Sequence, residues 1–217
     1  LKTNCPPTCT ITGDFTENRA HFDTLTENVE GTEFLLNNGN PVFKDDGVDV
    51  WLSNYPNYSN SLSPQFFTIY WGSLSESCPN SAALEVIVLS GSRNAPIAKR
   101  YAYDPCLRGN NFTKLIPPSI GTFSVGGKQF QYHTPTQDIN ITNGLIVRAV
   151  PFYTSTPIAV LTCNPGQSGQ NCTPLPSQGK SIESTGSLGG TARKVTFFQG
   201  YPKLPAEFFG YILFSTQ

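Results

Sequence analysis

Six cysteines carry the most definite chemistry in this 217-residue chain: Cys5, Cys9, Cys78, Cys106, Cys163 and Cys172. An even number of thiols in a chain rich in Thr and Asn reads as a disulfide set formed in an oxidising, exported setting. Metal ligation is the rival chemistry. Neither Cys5-Pro-Pro-Thr-Cys9 nor the interval from Cys163 to Cys172 has zinc-ribbon spacing, and His21 and His133 stand alone. No metal or other cofactor is expected. Six thiols allow 15 pairings. Local pairing is the simplest: Cys5 with Cys9, Cys78 with Cys106, and Cys163 with Cys172.

The other reactive groups are sparse. Asp45, Asp46 and Asp49 cluster ahead of a strand. A calcium loop needs several oxygens converging at regular intervals, and Lys44 interrupts the charge. The expectation is a solvated turn, with Asp49 on the outer face of its strand. His21 and Asp23 lack a Gly-x-Ser-x-Gly elbow to serve. No pair of carboxylates is singled out for general acid–base work. The chain is therefore expected not to be an enzyme. A secreted β-sandwich hydrolase would need a concave cleft holding two carboxylates.

Asparagine and tyrosine offer recognition chemistry. Sequons stand at Asn57, Asn111, Asn140 and Asn171, and occupied ones mark surface loops. Trp51, Phe67 and Trp71 lie in strand-like runs and are expected in the core. Tyr55 and Tyr58 flank Asn57 in a Pro-containing loop. These three are candidate partner or ligand contacts, because Tyr favours interfaces.

Composition narrows the partners. Charged residues are 13% of the chain and the net charge is -1, so no electrostatic case exists for nucleic acid or an anionic membrane. No run reaches the length of a membrane span.

These groups need a frame, and the frame reads as β. Alternation or β-branched runs occur at 48–52, 65–71, 83–89, 97–103, 127–132, 144–150, 157–162, 192–199 and 207–214, with turn signals between them. The runs 144–150 and 157–162 suggest a hairpin across Tyr153-Thr154-Ser155-Thr156. Residues 20–30 suggest a helical turn. The whole predicts one extracellular domain over 1–217. It would be an antiparallel two-layer sandwich with little helix, stabilised by disulfides, and 1–30 would be a rigid Cys/Pro-containing lead-in.

The end of the chain carries a likeness. Ile182-Glu183-Ser184-Thr185-Gly186, Gly189-Gly190, Arg193-Lys194-Val195, Leu204-Pro205-Ala206-Glu207-Phe208 and Tyr211-Ile212-Leu213-Phe214-Ser215 form one series. Earlier segments join it: Gly47-Val48-Asp49-Val50-Trp51-Leu52-Ser53, Ile69-Tyr70-Trp71-Gly72, Ala82 to Gly91, and Arg100 to Cys106 with Asn110-Asn111-Phe112. This pattern resembles minor pilins of the type IV pilus and related pseudopilin-like proteins, from about Gly31 onward. The resemblance implies a non-enzymatic cell-surface subunit whose partners are other pilus subunits. It also implies an N-terminal apolar helix as the membrane anchor, which these 217 residues do not contain. The competing expectation is a carbohydrate- or receptor-binding attachment domain of a secreted or viral surface protein. Partner contacts are expected on the loops 54–62, 110–120 and 163–172.

Overall fold

A computed structural model describes residues 8–15, 20–61, 66–164 and 172–205. The chain forms two compact units, where one domain is expected from sequence. The first comprises 1–30 and 177–202, the second 31–176 and 203–217.

The first unit is a four-stranded antiparallel sheet in the order β1-β2-β13-β14. Its strands are β1 (Thr8–Phe15), β2 (Ala20–Asn28), β13 (Gly179–Leu188) and β14 (Thr191–Gly200). The expected lead-in thus supplies two strands. The helical turn expected over 20–30 is replaced by β2, because Phe22, Thr24 and Thr26 alternate with His21, Asp23, Leu25 and Glu27. β13 and β14 meet at Gly189 and Gly190, both with positive φ (56° and 83°). That is the two-residue hairpin turn whose twist matches its strands.

The second unit is a sandwich of two five-stranded sheets. One runs β3 (Glu33–Leu35), β12 (Ile158–Leu161), β5 (Thr68–Trp71), β10 (Lys128–His133), β9 (Ile120–Val125). The other runs β4 (Val48–Trp51), β11 (Gly144–Phe152), β6 (Ala83–Ser92), β7 (Ala95–Asp104), β8 (Thr113–Lys114). Among the named strands only β7 and β8 pair in parallel. A short 3-10 turn, Leu36–Gly39, follows β3.

The core lies between the sheets. Ile69, Trp71, Ile158 and Val160 from the first meet Val50, Leu84, Val86, Val147 and Ala149 from the second. Trp51, Phe67 and Trp71 are buried, as expected. The Trp71 indole N–H is satisfied by the Ala82 carbonyl at 3.0 Å.

The expected hairpin of 144–150 with 157–162 does not form. β11 pairs with β4 and β6, and β12 pairs with β3 and β5, so the connection crosses between sheets. β11 is buried from Gly144 to Ala149, as befits a central strand with both edges occupied. Tyr153 turns the chain with φ 73°, and buried Thr156 anchors the crossing through main-chain bonds to Val42.

Disulfides join Cys78 to Cys106 and Cys163 to Cys172, as local pairing predicts. Cys9 is also disulfide-bonded. Cys5 and the expected strand at 207–214 lie outside the described residues. These bonds fit an oxidising compartment. No helix among the described residues is long and apolar enough to cross a membrane.

Candidate functional site

The first unit carries the most asymmetric surface. Strand register without shifts puts Ile11, Phe15, Phe22, Ile182, Leu188, Val195 and Phe197 on one face. Phe15, Leu188, Val195 and Phe197 are 54–65% exposed. Phe15 and Phe22 rings lie 5.7 Å apart, and Gly13 leaves the space that Phe22 occupies. Thr24 and Ser184 hydroxyls bond on the same face at 3.1 Å. Among the described residues, the only formal charges on this face are cationic, Lys180 and Arg193.

The opposite face is acidic. It bears Asp14, His21, Asp23, Glu27, Glu183 and Lys194. His21 is bracketed by carboxylates, 2.7 Å from Asp14 and 3.1 Å from Asp23. Its pKa is raised above the usual imidazole value of 6.5, chiefly by the hydrogen bond to Asp14 and then by the charge of Asp23. Lys194 pairs with Glu183 at 2.6 Å. The sheet is therefore amphipathic, largely apolar with basic residues on one side and largely polar and acidic on the other, where Leu25 and Phe198 also lie.

The sequence-predicted contacts sit elsewhere, in the second unit. Tyr55 and Tyr58 belong to a tight turn closed by Asn54 and Ser59. Both rings pack on buried Trp51, at 5.1 and 5.7 Å, and the Arg93 guanidinium stands 5.7 Å above Tyr58. Asn57 is exposed between them. Asn111 and Asn140 are exposed as well. Asn140 accepts the Thr142 N–H through its amide oxygen at 2.9 Å. Asn171 lies outside the described residues.

The loop from Asn110 is held from beneath. Buried Asp104 accepts hydrogen bonds from Arg108, Asn110 and the Cys106 N–H. The Arg108 guanidinium also stacks 4.2 Å over Tyr153.

Asp49 corrects its expectation in part. It does lie on the outer face of its sheet, but that face is not solvated there. Its carboxylate is buried in a bidentate pair with Arg148, at 2.7 and 2.8 Å, and accepts the Leu204 N–H. Asp46 pairs with Lys203 at 3.2 Å. The three aspartates are thus not a converging oxygen set.

The apolar face was not anticipated. Its signal was present as alternation in β2, β13 and β14. Its existence depends on pairing the two ends of the chain, which no local pattern reports. No protein-family model matches the chain, and no curated protein or solved structure is significantly similar to it.

Proposed function

We propose that this protein is a non-enzymatic, extracellular structural and adhesion subunit that assembles through protein contacts, in the manner of a type IV minor pilin. The carrying observation is the exposed apolar face of the β1-β2-β13-β14 sheet. A single sheet with one large apolar face requires a cover to be stable. Contiguous exposed apolar surface of this kind marks interaction sites.

Charge selects the occupant. Lys180 and Arg193 lie among the apolar side chains, with no acidic group among the described residues of that face. Two copies set face to face would bring like charges together. A protein element that is apolar and carries acidic residues is complementary. The pilin likeness suggests a filament subunit as that partner.

The test begins with the reading frame around this segment. An upstream apolar span of about 20 residues beside pilus-assembly genes supports the pilin reading, and a viral envelope frame overturns it. The biochemical arm uses products of neighbouring genes as defined partners. Val195→Asp with Phe197→Asp should abolish complex formation while the second unit unfolds at an unchanged denaturant midpoint. Undiminished binding, a face-to-face homodimer or lipid-vesicle binding through this face would overturn the assignment.

A further inference from the structure

The second unit holds a cavity of about 650 Å³ on the outer side of the sheet β3-β12-β5-β10-β9. That volume is in the range of small-ligand sites. Tyr70 alternates with Ile69 and Trp71, which enter the core, so its ring emerges on the opposite face. There it meets Phe123 and His133 at centroid distances of 5.9 and 5.5 Å. Phe123 stands edge-on to His133 at 4.4 Å. Leu161 completes the apolar lining, and Glu33 and Ser124 contribute polar groups.

The polar chemistry is specific. His133 Nδ1 lies 2.7 Å from the Thr134 carbonyl oxygen. A carbonyl only accepts, so Nδ1 carries the proton and Nε2 of the neutral ring is left as an acceptor. Tyr70 is 3% exposed, and its hydroxyl has no hydrogen-bond partner among the described residues. Burial pushes its pKa up to about 12, so it remains a donor. The Tyr70 phenol ring and the His133 imidazole ring therefore stand side by side, centroids 5.5 Å apart, with Phe123 against the imidazole.

We propose that this cavity binds a neutral saccharide ring. Adjacent sugar hydroxyls each donate and accept, matching Tyr70 and His133. The C–H face of a pyranose matches Phe123 and Leu161. Among the described residues of the lining, Glu33 is the only carboxylate. The described lining thus offers no pair of acids of the kind glycoside hydrolysis requires and suits retention of a sugar rather than its cleavage. This site lies in the second unit and goes beyond the assembly role of the first. Either assignment fails or stands without the other.

The test is protein-observed NMR with galactose, mannose, N-acetylglucosamine and choline, each to about 50 mM, a range that captures millimolar affinity. Saturable shifts at Tyr70, Phe123 and His133 with at least one sugar are expected. Tyr70→Phe should weaken binding about three- to tenfold. Ser124→Arg, an exposed change at the rim, should block it while the spectrum stays that of a folded protein. No saturable shift with any sugar overturns the proposal. So does choline binding without sugar binding, or sugar binding that Ser124→Arg leaves unchanged.

Discussion

Asp49 and Arg148 stand directly opposite each other on β4 and β11, and their bidentate pair is only 4% and 7% exposed. The Leu204 backbone closes it, donating its N–H to Asp49 and accepting from Arg148. A buried pair contributes little net stability when whole, but breaking it strands a charge. Asp49→Ala is expected to destabilise the second unit by about 3–5 kcal/mol. The double change Asp49→Leu with Arg148→Met should recover most of that. Urea denaturation of both variants checks this; a loss under about 1 kcal/mol for the single change would show that water reaches the guanidinium.

Gly47 makes room for the same arginine. A Cβ at that position would come within 2.7 Å of Arg148 Cδ. The guanidinium is locked at its far end, so the stem cannot swing aside freely. Gly47→Ala should cost about 1–3 kcal/mol, with the Asp49→Leu, Arg148→Met background relieving it. Equal cost in both backgrounds would place the strain elsewhere.

The His21 titration has a definite sign. Its folded pKa is raised by Asp14 first and Asp23 second. The contribution to stability is fully present below the unfolded value of about 6.5 and is lost as pH rises through the folded value. NMR of the His21 ring should give a midpoint above 6.5. Asp14→Ala and Asp23→Ala should each lower it, because each removes a hydrogen bond and a negative charge from the ring. A midpoint that neither change moves would contradict the bracketing of the ring by the two carboxylates.

The disulfides should differ in worth. Cys78–Cys106 spans 28 residues and Cys163–Cys172 spans nine. Loop-closure entropy gives about 3.6 kcal/mol for the longer and about 2.6 for the shorter. Replacing each pair by Ser and comparing denaturant midpoints should rank them in that order. A larger loss at Cys163–Cys172 would mean that the native state, rather than the unfolded chain, carries the effect.

β-structure was legible because its signals are local. Val48–Trp51, Ala83–Ser92 and Gly144–Phe152 show alternation or buried β-branched runs, bounded by Gly, Pro and Asn. Cysteine pairing followed chain proximity for the two disulfides described. Burial of Trp51 and Trp71 followed from aromatic residues within strands.

What sequence alone determined is the menu: strands, turns, a disulfide-bearing sandwich and few titratable groups. The tertiary structure decided which strands are neighbours. It set β11 and β12 in different sheets, joined β2 to β13, and thereby placed Phe22, Ile182 and Phe197 on one face. It also buried Asp49 against Arg148 and brought Tyr70 beside His133. Period-two alternation says that a residue faces one side or the other. It cannot say what covers that side, because the cover comes from segments distant in the chain.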